Sequence, residues 1–373
     1  MNEQNTRQIP LVDLKAQYRI IAEEINAAIR NVIEETAFIR GKYVEAFEHA
    51  YAQKYSVKHC ISVANGTDAI YVTLKMLGIG SGDEVITTAS SWISTSETIT
   101  LTGAKPVFID IEADYFNIDA AKIEKKITPR TKAILPVHLY GQPADIVAIK
   151  NICDAHNLYL VEDCAQAHFA EYHGQKVGTF GNAGTFSFYP GKNLGAYGDA
   201  GAIITNDDDL AKKCRMYANH GALKKHDHLM EGINSRMDGM QAAILTVKLP
   251  YIPDWNHKRY HHALLYQSLL KGVEGLSAPM IRQDASHVFH LYVVRTKERD
   301  RLQRFLQEKG IGTGVHYPVA LPFMTAYQYL GHTPTDFPVA YKYQSEILSL
   351  PMYPELSEES IHYVVASIKD FLM

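Results

Sequence analysis

The stretch SFYPGKNLGAYGDAGA, residues 187 to 202, sets one lysine, Lys192, among four glycines at positions 191, 195, 198 and 201. One apolar run, GTFSF (184 to 188), leads into it, and a second, GAIIT (201 to 205), leaves it. Both read as buried strands, so the lysine stands on a glycine-rich turn at the end of a sheet strand. A lysine there is either a solvated surface charge or an amine held for chemistry, and the rest of the chain decides between the two.

Upstream of this turn, short apolar runs alternate with helical segments. HCISVA (59 to 64) is followed by a helix over 67–77, EVITT (84 to 88) by a helix over 93–102, and PVFIDI (106 to 111) by a helix over 119–126. KAILPVH (132 to 138), a helix over 144–156 and LYLVED (158 to 163) continue the alternation, and a helix over 208–219 follows the lysine turn. Near-continuous apolar strands between helices predict a mostly parallel sheet with helices on both faces. Ahead of it, Leu14, Tyr18, Ile21, Ile25, Ile29 and Val32 recur at helical spacing after a capping Asp13, and a second helix follows Gly41.

Near residue 240 the texture changes. MQAAILTVKL reads as a helix that Pro250 and Pro253 bend or end. Beyond it the pattern predicts strands at 288–295 and 311–316, a helix at 299–309 stopped by Gly310, and final helices at 338–347 and 357–371. The expected architecture is a large α/β domain over 1–248 and a smaller α+β domain over 249–373.

Composition sets bounds on function. The 373 residues are 46% hydrophobic and 21% charged, as in soluble globular proteins, and the net charge of −4 carries no basic surplus for nucleic acid. The four cysteines, Cys60, Cys153, Cys164 and Cys214, form no C-x-x-C and are expected to be buried free thiols in a reducing compartment. MNEQNTRQIP lacks the apolar core of a secretory signal, and no run of apolar residues is long enough to span a membrane, so a cytoplasmic location is expected. His226 and His228, in KKHDH, are flanked by lysines and read as a loop; no metal site is expected.

In open α/β sheets, ligands sit beyond the carboxyl ends of the strands. Three features of this chain fall there. Asn65-Gly66-Thr67-Asp68 joins the strand HCISVA to a helix whose first amides suit an anion, although plain capping explains the same residues. Asp163 ends LYLVED, where a buried carboxylate needs a cation or donors, or else caps the next turn. Ser187 ends the strand before Lys192. Together these supply what pyridoxal 5'-phosphate (PLP) demands: Lys192 for a Schiff base with its aldehyde, Asp163 to keep its pyridine nitrogen protonated, Gly66, Thr67 and Ser187 for its phosphate, and Trp92 as a surface for its ring.

NGTDAI, VEDCAQAH, GTFSFYPGKNLGAYGDAGA and GINSRMDGMQAAIL together resemble the DegT/DnrJ/EryC1/StrS family of PLP-dependent sugar aminotransferases, and the likeness runs from IPLVDL to VHYP. The resemblance implies the fold type I, aspartate aminotransferase-like architecture, a homodimer with shared active sites, a nucleotide-linked keto-sugar as substrate and L-glutamate as donor. It assigns Lys192 and Asp163 the catalytic roles, and Gln166 a bond to the cofactor's phenolic oxygen. Asn234 would help hold the phosphate from the partner subunit, and His316 and Tyr317 would lie near the sugar nucleotide. His220 would contact that nucleotide or cap a helix; Arg236 would meet a carboxylate or pyrophosphate, or form a structural salt bridge. HLYGQPADI (138 to 146) resembles relatives that aminate the sugar at C3, which implies a dTDP-3-keto-6-deoxyhexose for surface-glycan or antibiotic sugar synthesis. The alternatives are a PLP-dependent lyase and a non-catalytic regulator that binds the cofactor or a sugar nucleotide.

Overall fold

EVITT is buried at all five positions, the burial that a parallel strand covered on both faces requires. It belongs to a seven-stranded sheet in a computed structural model that describes residues 8–372. The polar stretch 1–7, which bears on the expected lack of a targeting signal, lies outside the described residues. The strands are β1 (His59–Val63), β2 (Glu84–Thr88), β3 (Lys105–Ile109), β4 (Thr131–Leu135), β5 (Tyr159–Asp163), β6 (Ala183–Ser187) and β7 (Gly201–Thr205). Their spatial order is β1-β7-β6-β5-β4-β2-β3. All neighbours run parallel except β7, which is antiparallel to both β1 and β6. The turn carrying Lys192 is therefore the link of an antiparallel pair, not a crossover.

Helices cover both faces. Asp13 caps α1 (Leu14–Glu34) by accepting from the Ala16 N–H at 2.9 Å, as its position predicts. With α2 (Lys42–Tyr55) and α7 (Gly239–Lys248), α1 packs on the face that presents Cys60, Phe186, Ala202 and Ile204. The opposite face, presenting Ile61, Val63 and Ile203, is covered by α3 (Gly66–Met76) and α6 (Asp208–Tyr217). Two further helices, α4 (Ser94–Leu101) and α5 (Ile146–His156), follow β2 and β4. All four cysteines are buried and free. No helix among the described residues is long and apolar enough to cross a membrane.

Several elements differ from the sequence reading. Residues 119–126 form two 3-10 turns, Ala120–Lys122 and Glu124–Lys126, because Pro129 stops any longer helix. The helix expected at MQAAILTVKL does end at Lys248, just before Pro250; Pro250 and Pro253 then sit in the first turns of the next two elements, where proline's missing N–H costs nothing. Pro253 thus opens α8 (Ile252–Leu270), a 19-residue helix that periodicity hides because Arg259 and His262 are buried among its apolar residues. The strand expected over 288–295 is only Tyr292–Arg295, and its antiparallel partner, Ile347–Leu350, begins where the helix expected over 338–347 was to end. Residues 311–316 make isolated bridges, Ile9 with Ile311 and Gly314 with Ser349, in place of a strand. The second main apolar cluster joins Ala263, Tyr266, Tyr292, Leu350 and Ile368, and Ile9 from the start of the chain lies in it.

Candidate active site

Asp163 and Ser187 close the adjacent parallel strands β5 and β6, with Asp163 in register with Thr185. The Asp163 side chain is buried, with Oδ2 accepting from the Thr95 hydroxyl at 2.9 Å and Oδ1 from the Ala165 N–H at 3.1 Å. Burial raises its pKa; those two hydrogen bonds and the charge of Lys192 pull the other way. Lys192 follows β6 on a turn closed by its own N–H to the Tyr189 carbonyl at 2.8 Å. Burial brings its amine down to about 8, against the attraction of Asp163. A buried acid thus faces an amine that sheds its proton near neutrality.

None of the four glycines around Lys192 has a positive φ, so any need for glycine there comes from space and not from unusual backbone. A Cβ on Gly195 would lie 2.3 Å from the Pro190 carbonyl oxygen, and one on Gly201 would lie 2.3 Å from the Asn65 carbonyl oxygen. The turn folds back on itself at Gly195 and presses on the start of α3 at Gly201. Gly191, beside the lysine, has nothing within 3.4 Å of a built Cβ and makes no such demand.

Lys192 and Asp163 line one cavity of about 530 Å³. Gly66, Thr67, Trp92, Gln166, Ser187, His316 and Tyr317 line it too. At one end is the N-terminus of α3, where Asn65 caps through the Asp68 N–H at 2.8 Å. The capping reading and the anion reading both hold: Asn65 takes one amide, and the rest of the first turn keeps its free N–H groups. A Cβ on Gly66 would lie 2.6 Å from the Ser187 Cβ, so only glycine lets the helix start and the strand end approach this closely. The Thr67 hydroxyl is 2.7 Å from that of Ser94. Gln166 is fixed at both ends, accepting from the Tyr140 N–H at 2.6 Å and donating to the Tyr317 hydroxyl at 3.0 Å. Trp92 is 56% exposed at the rim, with its ring 5.5 Å from that of Tyr317. His316 Nδ1 is 2.8 Å from the Ser349 hydroxyl, and burial lowers its pKa to about 4, which keeps it neutral near pH 7.

His220, Asn234 and Arg236 lie outside this cavity. Asn234 bridges to Asn219, the His220 carbonyl is 2.8 Å from His228 Nδ1, and Arg236 lines a separate small cavity beside Arg40 and Glu48. Conversely, the cavity includes residues the sequence reading passed over. Ser91, Ser94 and Thr95 supply a row of hydroxyls, and Leu11 and Val12 form part of the wall. The signal for the hydroxyls was present: SSWIST follows the carboxyl end of β2, the same kind of place as the other three features. His290 also lines the cavity; Nδ1 faces the Asn193 side-chain oxygen at 3.2 Å. His168 is a strut, spanning from the Tyr51 hydroxyl at 3.0 Å to the Ser187 carbonyl at 2.9 Å.

His138, Glu162 and Cys164 bring three ligand-type atoms within 4.8 Å of one another beneath the site. Two of the three are already engaged. His138 Nδ1 accepts from the Ala144 N–H, and Glu162 accepts from Gly178, Phe180 and Gly181 N–H groups as well as facing His138 Nε2.

Residues 19–369 match the DegT/DnrJ/EryC1/StrS aminotransferase family. The chain belongs to this family. It is 47% identical to the "Pleiotropic regulatory protein" of Geobacillus stearothermophilus over 97% of this chain and 98% of that one. It is 43% identical to the dTDP-3-amino-3,6-dideoxy-alpha-D-galactopyranose transaminase of Aneurinibacillus thermoaerophilus, over 97% and 99%. Among solved structures it resembles S. venezuelae DesV in complex with a ketimine intermediate, with a TM-score of 0.96 and 40% identity over 98% and 99% of the two chains.

The fold is accordingly the α/β fold type I architecture, and the protein is a PLP-dependent aminotransferase; further solved relatives hold the cofactor as PMP. Its residues fit that group. The glycine cradle between Gly66 and Ser187, the buried Asp163 carboxylate and the lowered amine of Lys192 are groups that could take its phosphate, ring nitrogen and aldehyde in turn.

Proposed function

We propose that this aminotransferase moves an amino group from L-glutamate to a nucleotide-linked keto-sugar, with a dTDP-3-keto-6-deoxyhexose as the preferred acceptor. The observation that carries the reading is the pairing, in one cavity, of the buried Asp163 with the Lys192 amine. The acceptor class is supported by the relative from A. thermoaerophilus, whose name specifies a dTDP-linked 3-amino sugar. The product would enter surface-glycan or antibiotic sugar synthesis. The free cysteines fit a cytoplasmic setting.

In this reading, PLP when bound supplies an electron sink and carries the nitrogen between the two substrates. Asp163 keeps the proton on the pyridine nitrogen, and the Thr95 hydroxyl holds the carboxylate in place. Lys192 Nζ takes the proton from the α-carbon of the amino donor and returns one to the sugar carbon that receives nitrogen. An amine near pKa 8 does both jobs at neutral pH. Gln166 keeps one amide hydrogen beyond its bond to Tyr317 for the phenolic oxygen. The first turn of α3, Thr67 and Ser187 bind the phosphate, and Asn234 of the partner subunit completes that site. His316, Tyr317, His220 and Arg236 remain assigned to the sugar nucleotide or the donor carboxylate.

A homodimer is part of this reading, supported by exposed apolar side chains at Ile33, Phe38, Ile39 and Leu229. So is a division near residue 248, supported by the separate apolar cluster built mainly from residues 263 to 368.

The test is a visible absorbance scan of the PLP-loaded protein. The expected result is a cofactor band that bleaches with L-glutamate and returns with a dTDP-3-keto-6-deoxyhexose. Return only with a UDP-linked or 4-keto sugar overturns the acceptor; a band indifferent to glutamate overturns the donor. A second reading as a regulator takes its support from the name of the G. stearothermophilus relative, and bleaching without any sugar restoring the band would favour it.

A further inference from the structure

Lys248, near the end of α7, is fully buried, and among the described residues no carboxylate forms an ion pair with it. A buried amine without a counter-ion is expensive, and methionine would fill the same volume without that cost. Its one hydrogen bond runs to the Gly195 carbonyl at 2.7 Å, and its nitrogen lies 4.1 Å from the centre of the Tyr197 ring. Two turns earlier on the same helix, Gln241 Oε1 accepts from the Tyr197 N–H at 2.9 Å. Both contacts fall on the turn that carries Lys192, and no step of the reaction above uses either residue.

We propose that α7 is a two-point anchor for the lysine turn, in which Lys248 and Gln241 are positioning residues that aim the Lys192 amine at the Asp163 side of the cavity. The base of the turn is closed by the Ala196 N–H donating to the Phe188 carbonyl at 2.8 Å and by the buried Leu194 and Ala196, but little else holds its tip. Gly195 and Gly198 have no side chains to pack, and Tyr197 is 36% exposed. The far side of the turn is fixed by Asn193, which donates to the Asn256 side chain at 2.9 Å and the Val288 carbonyl at 3.0 Å. Asn193 and the Ala196–Phe188 bond leave the Gly195 carbonyl and Tyr197 to be held from α7, and its two contacts fix them. Burial brings the Lys248 amine down to about 7, against the attraction of Glu355, and the amine donates to Gly195 in either protonation state.

This inference rests on Lys192 being the residue that takes the cofactor, and the experiment separates the two. Lys248→Met and Gln241→Ala are compared with the wild-type protein by amide hydrogen exchange over 191–198 without cofactor, and by cofactor absorbance and circular dichroism after PLP is added. Exchange in that segment should rise about tenfold in each variant, with exchange in β5 and α3 unchanged. The cofactor's circular dichroism should weaken, and kcat should fall about tenfold or more while the KM for glutamate moves little. A lower melting temperature with unchanged exchange and unchanged cofactor spectrum would mean plain packing and would overturn the proposal. If Lys248→Met does not fold, Gln241→Ala, at a half-buried position, decides by the same readings. A wild-type protein with no cofactor band would instead overturn the role of Lys192, leaving the exchange result to judge the anchor.

Discussion

Lys192 joins two facts that are usually opposed: it is an amine, and it is largely withdrawn from water. Its folded-state pKa near 8 lies below the ordinary 10.5, so between those values the unfolded chain holds a proton that the folded chain has released. Stability of the cofactor-free protein should therefore rise with pH across that window, by up to about 3 kcal/mol from this group. Lys192→Met should remove that share of the rise, read as a smaller gain in urea midpoint between neutral and alkaline pH. Lys192→Ala should fold and bind the cofactor weakly, with no turnover; measurable transamination would sink its assignment. Lys192 was legible in the sequence because a lysine between two apolar strands and among glycines has few structural reasons to be there. Thr95 was not, since its bond to Asp163 spans 68 residues and exists only once β2 and β5 share a sheet.

At the scale of the element, the start of α3 does two jobs with adjacent residues. Asn65→Ala removes a cap and should cost about 1 kcal/mol, measured by denaturant unfolding, while leaving the cavity's shape intact. Gly66→Ala acts on the other job. Its methyl must displace the Ser187 Cβ and backbone, so stability should fall by about 2 kcal/mol and cofactor affinity by about tenfold or more in an absorbance titration. Equal effects of the two substitutions on affinity would show that capping and anion binding are not separable there. The strands around this helix were readable because buried parallel strands are continuously apolar. Helix α8 was not, because a helix covered on several sides, with Arg259 donating to the Met352 carbonyl from within, carries no single apolar stripe.

Across the whole molecule, the chain's early residues and late residues meet at the cavity. Ile9 pairs with both flanks of Ile311: its N–H donates to the Gly310 carbonyl at 2.9 Å, and its carbonyl accepts from the Gly312 N–H at 2.7 Å. The Met352 N–H donates to the Leu11 carbonyl at 3.2 Å, and Leu11 and Val12 then face the site. Ile9→Ala should cost about 3 kcal/mol and be visible as a lower melting temperature. The thiols test the core in the opposite sense: a thiol reagent should label none of the four cysteines quickly in the native protein and all four in denaturant. No periodicity in IPLVDL announced this closure, because its partners are single bridges and not a strand ladder.

That stitching sets a timetable. On the ribosome, Ile9 and Leu11 emerge long before Gly310, Gly312 and Met352, which hold them. The β6–β7 pair that carries Lys192 closes locally, over a short loop, as soon as its own residues are free. The lysine side of the cavity is thus built well before the wall that Leu11 and Val12 form, and a nascent chain presents its amine through an open doorway that shuts only after residues 310 to 352 have followed.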